Sequence, residues 1–437
     1  MGISSSTGIW EIGDNWPWPR VVMTDYYNIA FAKKADGKLA LYEMVISGSN
    51  WVASEKATLG NASNINSVSV APFFTYYVIT VDDRPNNQSD KGTYYRNPLT
   101  GAVTEWLTSE VPAGTCCCAW RGQFLVGGLW STSPPWVNIP SCSVAWSDIG
   151  SINMHPEDYI TAGYAPMPWD ENGNGEIWAM HSLDEIIRVY GDRGICNLIP
   201  FGSGDRKTAS RFVGFGVSAV ETPGIFGTYC VAGDEKVHGF VDTNYDWNLI
   251  TGEKAVNLGY RRHLENLDST KIVVSYDKYN KRFYISDGSL CYVYSKNGMY
   301  TTNQCLSSVG YYNNIICGFV KDNSDDEIRI TTKPFDLGYQ DQQTLESIEA
   351  GITYDTTNDE IVYGSLDVKY DYKGDFISLG DIELNPRGIF TQKTTGREFR
   401  INLKSNYESG ADFALSSLKA KIKFSDKRNT RGRINVS

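Results

Sequence analysis

The sequence predicts an all-β chain: a β-propeller of about six blades followed by a C-terminal antiparallel β-sandwich. Three observations carry this expectation. Short strand-and-turn units recur over roughly three hundred residues, with no long amphipathic helix between them. Their spacing of roughly forty residues is close to the ~40–45 of a propeller blade, which allows roughly five to seven blades, with six the best fit. Beyond residue 323 the strands lengthen, charge rises and the chain ends in a basic segment. The expected division is 1–24, an N-terminal arm; 25–322, the propeller; and 323–437, the sandwich with its basic tail.

Each element has a local reason. Trp16-Pro17-Trp18-Pro19 is too rich in proline for a helix or a central strand. It reads either as an arm laid on a neighbour or as a lead-in. Tyr27–Glu43 is a hairpin over Asp36-Gly37, a strong turn dipeptide. Ser67–Trp106 holds a strand at Phe73–Val81, a loop at Arg84–Gly92 and a strand region at Gly92–Trp106. Thr115–Asp148 holds Cys116–Ala119, Gln123–Trp130 and Ser143–Trp146. Gly175–Phe201 holds Glu176–Met180 and Ile186–Tyr190, interrupted at Gly191 and Gly194. Ile225–Ile250 pairs Tyr229–Ala232 with Val237–Val241 around Gly233-Asp234. Lys271–Met299 holds Ile272–Tyr276, Arg282–Ser286 and Ser289–Tyr294. Leu258–Leu267 is the one candidate for a short helix. No tryptophan–aspartate repeat signature accompanies the units.

The C-terminal strands are read at Glu327–Leu337, Ser347–Tyr354, Ile361–Tyr372, Phe376–Leu384, Glu398–Ser405 and Ala414–Ser425. Phe399, Ile401 and Leu403 alternate with Arg400, Asn402 and Lys404, and Leu418–Phe424 repeats the pattern. Such period-two alternation marks half-buried strands with one solvated face.

Composition narrows the function classes. With 437 residues the chain can bury large cores. A net charge of −11 argues against a general nucleic-acid binder, which needs excess Lys and Arg against phosphate. The first twenty residues lack the basic-then-apolar order of a signal peptide. No run reaches the ~20 apolar residues that span a bilayer, so no membrane insertion is expected. Met1-Gly2 with Ser6 formally fits a myristoylation pattern, too short to stand against chance. The nine cysteines are odd in number and form no CxxC. They read as reduced thiols used as small apolar groups in a protein assembled in a reducing cytoplasm. Aromatic residues make up 13% of the chain, with 27 Tyr and 12 Trp, which suits strands and protein interfaces.

Several segments carry residue types that could support chemistry. Asp170, Asn172 and Asn174, with Gly175, copy the first half of a calcium loop. The twelfth position is His181 rather than Glu, and Pro166-Met167-Pro168 excludes an entering helix, so a polar turn is the better reading and no metal or cofactor is expected. Gly214-Phe215-Gly216 lacks the helix that a dinucleotide fingerprint needs. His155, His181, His238 and His263 have no partner at helical spacing, and a triad cannot be read from the chain. Trp146-Ser147-Asp148-Ile149-Gly150 keeps only the D-x-G of a sialidase box, and Asp322–Glu327 reads as a solvated acidic run. No catalytic residue is assigned. The basic excess at Lys419, Lys421, Lys423, Lys427, Arg428, Arg431 and Arg433 has two readings: a solvated end, or an arm for an acidic neighbour or for DNA phosphates in transit. Tyr354, Tyr363, Tyr370 and Tyr372 crowd one short region and are candidates for a subunit interface.

Several segments together resemble the β-propeller tail-hub, or nozzle, proteins of tailed bacteriophages. They are Val144–Gly150, Leu183–Gly191, Ala232–Phe240, Thr332–Gly338, Thr395–Arg400, Asp426-Lys427-Arg428 and Arg431-Gly432, and the resemblance covers about Val144 to Arg433. It implies a virion structural subunit without catalytic residues. The implied assembly is a homo-oligomeric ring of six below the portal. Its partners are the portal adaptor protein and tail fibres or other tail proteins, with genomic DNA passing through without sequence preference. The rivals are a receptor- or glycan-binding propeller of a virion, with or without glycosidase activity, and an interaction scaffold unrelated to phages.

Overall fold

The computed structural model describes residues 16–18, 20–24, 26–47, 50–84, 92–106, 110–130, 134–158, 161–169, 175–203, 211–221, 223–252, 254–296, 298–302, 304–312, 315–322, 327–331, 343–353, 362–370, 375–385, 387–406 and 414–423. Two compact units divide the chain. The first is Met1–Asn297 with Cys305–Lys321, and the second is Gly298–Gln304 with Asp322–Ser437.

The first unit carries the repeated four-stranded antiparallel sheets of a propeller. Five are complete meanders in chain order. They begin with the strands Arg20–Met23, Ser67–Phe73, Gly114–Trp120, Ile177–Leu183 and Val231–Asp234. A sixth sheet opens with Val273–Asp277, Arg282–Ser286 and Cys291–Ser295. Neighbouring sheets from the second to the sixth meet through these first strands. One turn of helix, Arg261–Leu264, stands between the fifth and sixth sheets.

The cores lie between successive sheets, and this explains the local composition. In Gln123–Leu129 every residue is buried. Phe124 and Val126 face a core shared with Phe73 and Val78 of the second sheet. Leu125, between them, faces a core shared with Met180, Ile187 and Val189 of the fourth. A strand covered on both faces needs an apolar residue at every position, not at every second one. The three consecutive cysteines follow the same rule. Cys117 enters the first of these cores, while Cys116 and Cys118 enter the second.

The structure shifts several boundaries. Arg20–Met23 lies inside the expected arm, yet it pairs along its length with Asn28–Phe31. Trp18 is buried beside it, 6.5 Å from Phe31 and 6.4 Å from Tyr229 between ring centroids. Proline prevents a regular strand there, but an indole needs only a pocket. The strand expected at Phe73–Val81 is two strands, because Phe74 takes φ 51° and turns the chain. Gly214-Phe215-Gly216 lies within a strand that pairs with Leu198–Ser203, with Phe215 packed on Trp120 and Trp146.

Among the described residues, the second unit carries two four-stranded sheets. One orders Glu327–Thr331, Glu398–Asn406, Val362–Lys369 and Ile377–Glu383. The other centres on Gln343–Thr353, which pairs with Ile389–Phe390, Thr394–Gly396 and Ala414–Lys423. Phe399, Ile401 and Leu403 share a core with Leu366 and Val368 of their own sheet and with Leu345, Ile348 and Phe390 of the other. Gln392 completes that core: its Oε1 accepts from Leu366 N at 2.9 Å and its Nε2 donates to Leu379 O at 2.9 Å.

Candidate functional site

Among the described residues, the first strands of the six four-stranded sheets line one cavity of about 250 Å³, joined by Ser308 and Val309 of the strand Gln304–Tyr312, which pairs with Ile315–Asp322 in a further two-stranded sheet. The strands contribute Arg20 and Val21, Ser69, Cys116, His181, Ala232 and Ser275 in turn. A meander places its first strand at one edge of the sheet, and the contacts between successive sheets run through those edges from the second sheet to the sixth.

Polar groups hold the wall together. Tyr229 Oη accepts from Val68 N at 2.8 Å and donates to Val68 O at 3.3 Å, which ties the fifth sheet's approach to the second sheet. Its ring lies under the Arg20 guanidinium at 3.8 Å. Ser308 Oγ accepts from Val21 N at 2.6 Å. Ser69 Oγ donates to Cys117 O at 3.2 Å and accepts from Cys117 N at 3.1 Å. Burial lowers the pKa of Arg20 and, against the effect of the adjacent guanidinium, raises that of Tyr229.

Behind His181 lies a buried imidazole, His238, 5.5 Å away between ring centroids. His238 Nε2 is 3.1 Å from Ser182 O and Nδ1 is 2.8 Å from the Tyr190 hydroxyl. A carbonyl oxygen only accepts, so Nε2 carries the proton and Tyr190 donates to Nδ1. Burial pushes His181 down to about 4. Burial, then repulsion from His181, pushes His238 down to about 3. Both rings are therefore neutral at physiological pH. Next to them Arg188, fully buried, donates from Nη2 to Gly252 O at 2.5 Å and sits 3.6 Å from Glu221 Oε1.

A second charged assembly joins the second and fourth sheets. Arg84 grips Asp82 through Nε at 2.8 Å and Nη2 at 3.1 Å, and reaches Glu176 Oε2 with Nη1 at 2.5 Å. One guanidinium held by two carboxylates in this way links the two sheets.

The residues singled out from the sequence fall elsewhere. Asp170, Asn172 and Asn174 lie outside the described residues; the next residues use Asp192, whose Oδ1 accepts from Glu176 N at 2.8 Å. Lys419, Lys421 and Lys423 stand in the strand Ala414–Lys423, opposite Glu349, Ser347 and Thr344. Lys427, Arg428, Arg431 and Arg433 lie outside the described residues, as do Tyr354 and Tyr372. Tyr363 is half-buried opposite Lys404 and Glu383, and Tyr370 is 43% exposed. In Trp146–Gly150, Ser147 Oγ accepts from Phe124 N at 2.9 Å, and Asp148 is bonded to the Thr161 hydroxyl. That carboxylate orders a turn. Sequence reasoning did not assemble Arg20, His181, Tyr229 and Ser275; the available signal was Arg20 at the head of the apolar run Val21-Val22-Met23.

No protein-family model and no curated protein matches the chain. Among solved structures, it is similar to the SapL1 lectin in complex with alpha methyl fucoside, at 9% identity and a TM-score of 0.33, over 70% of this chain and 87% of the lectin. A glycoside hydrolase is similar at 11% identity and a TM-score of 0.27, over 92% of this chain and 96% of the hydrolase. Likeness at these scores carries no statement about what this chain binds or cleaves.

Proposed function

We propose that the protein is a non-enzymatic structural subunit of a bacteriophage tail, a hub or nozzle subunit. In this reading the first unit is a six-bladed propeller and the second a β-sandwich. Six copies close a ring that extends the DNA-ejection channel, beside the portal adaptor and tail fibres or other tail proteins. The protein is assembled in the host cytoplasm and resides in the virion tail.

The observation that carries this reading is where the resembling segments fall. Val144–Trp146, Ile186–Gly191 and the hairpin Ala232–Phe240 are paired framework strands of three successive sheets. Thr395 and Gly396 pair with Gln343 and Thr344, and Glu398–Arg400 opens the central strand of the other sheet of the second unit. The likeness is thus to the scaffold in both units, as expected for a protein whose role is to hold a shape. The basic residues after Lys419 supply a complement for acidic neighbours or passing phosphates.

The test is a reconstruction of the parent particle, or mass determination of the chain co-expressed with its adaptor. A closed ring of six copies in the tail is expected, the number being what the resemblance implies; head-to-tail contacts between two different patches of each subunit would close it. A lone copy at a fibre tip, or a stable monomer with activity on a glycan panel, moves the assignment to the receptor- or glycan-binding propeller.

A further inference from the structure

The cavity at the meeting point of the six first strands offers more hydrogen-bond donors than its own walls use. Arg20 has no ion pair and no side-chain hydrogen bond among the described residues; its Nη1 is fully shielded and has no partner. Tyr229 covers one face of the guanidinium but accepts no proton from it. Ser275, 4% exposed, lines the same cavity, and its Oγ has no partner. Ser308, 3% exposed, accepts from Val21 N, which leaves its own proton to give. His181 adds a neutral ring with an N–H, whichever nitrogen holds it. Among the described residues, no Asp or Glu lines the cavity.

This is an unusual balance. A guanidinium withdrawn from water and left unpaired costs several kcal/mol, and chains normally bring a carboxylate to it. A hydroxyl shielded from water likewise normally finds an acceptor. Here the missing member of each pair is the same: an acceptor bearing negative charge. At about 250 Å³ the space holds a molecule larger than one water. The guanidinium fork matches two oxygens of an oxyanion and leaves others for the hydroxyls.

We propose that this cavity binds a small oxyanion, a carboxylate or a phosphate, on Arg20, with Ser275 and Ser308 donating to its remaining oxygens. The anion would act as an internal ligand that ties the first sheet to the sixth and to the strand carrying Ser308. This inference is independent of the tail-hub reading, since it concerns the interior of the first unit alone.

The test titrates the full-length protein with sodium acetate and with inorganic phosphate by calorimetry, alongside thermal melts at constant ionic strength against sodium chloride. At least one probe is expected to bind one to one and to raise the melting temperature, and which one does so identifies the source. Arg20→Met should weaken binding roughly tenfold or more, since charged hydrogen bonds are lost. Ser275→Val keeps the charge and should weaken binding by a smaller factor. Absence of saturable binding of either probe to the unmodified protein overturns the proposal. So does equal binding by Arg20→Met, which would mark a general salt effect on the surface. Should Arg20→Met fail to fold, Ser275→Val decides, and unchanged affinity in that variant overturns the proposal.

Discussion

Acidification should destabilise the first unit through His238, and the size of the effect follows from its surroundings. The ring is 1% exposed and both nitrogens are engaged. A proton added at Nδ1 would face the hydroxyl proton of Tyr190, itself fully buried, with His181 and Arg188 nearby. The folded state therefore holds the imidazole neutral until about pH 3. In the unfolded chain it titrates at about 6.5. A depressed folded value means that the unfolded state binds more protons below 6.5, so stability is full above that pH and falls as pH drops toward 3. At pH 5 the deficit is about 1.5 units, or about 2 kcal/mol. His181 moves in the same direction, while Asp242, whose carboxyl burial pushes up, moves in the opposite one. The readout must therefore be a difference. His238→Gln removes the titration and should cost about 1 kcal/mol at pH 8 through poorer hydrogen bonds. Urea unfolding of both proteins at pH 8, 7, 6 and 5, followed by tryptophan fluorescence, compares the slopes. The unmodified protein should lose about 2 kcal/mol more than the variant between pH 8 and pH 5. Parallel profiles would refute the reasoning, because they would mean that His238 accepts a proton in the folded state as readily as in the unfolded one.

Three further outcomes are expected. Arg84→Met should cost about 3 kcal/mol in chemical unfolding, because it strands the buried Asp82 carboxylate. Asp82→Asn combined with it should recover part of the loss; a fully additive double variant would show that the two residues do not act as a pair. Gly128→Ala should destabilise by about 2 kcal/mol or more, since its φ of 69° disfavours a side chain and the new Cβ would run into Thr115 Oγ1; such a loss should lower the melting temperature by roughly several degrees, and a value unchanged within about 1 °C would contradict the close approach. The eight described cysteines are all buried, and burial pushes Cys118 and Cys230 up to about 12. A thiol-specific reagent at pH 8 should therefore leave them unmodified in the folded protein while labelling nine per chain in denaturant. Rapid native labelling of those eight would overturn the packing described.

Much of the strand framework was legible because its causes are local. Arg282–Ser286 and Val237–Val241 are runs of β-favouring residues bounded by turn formers, and both are strands. Phe399, Ile401 and Leu403 declare their face by alternation, and all three are buried on it. Arg261–Leu264 is helical within the one segment read as a short helix. What local signals did not show are the tertiary contacts. Proline excluded a helix or central strand at Trp16–Pro19, and none forms at Trp16–Trp18, but Trp18 is buried against Phe31 and Tyr229, and Trp16 Nε1 donates to Lys271 O at 2.8 Å.

The cavity belongs to the other category. Arg20, Ser69, His181, Tyr229, Ser275 and Ser308 are spread over nearly three hundred positions, and no spacing rule connects them. Period-two alternation says which residues share one face of a strand; it does not say which strands meet. The sequence by itself determined that this chain is a succession of short antiparallel strands followed by longer, charged ones, because propensity and turn chemistry act over a few residues. Only the tertiary structure decided that the first strand of every sheet faces a common space, because that depends on how whole sheets stack on the cores between them.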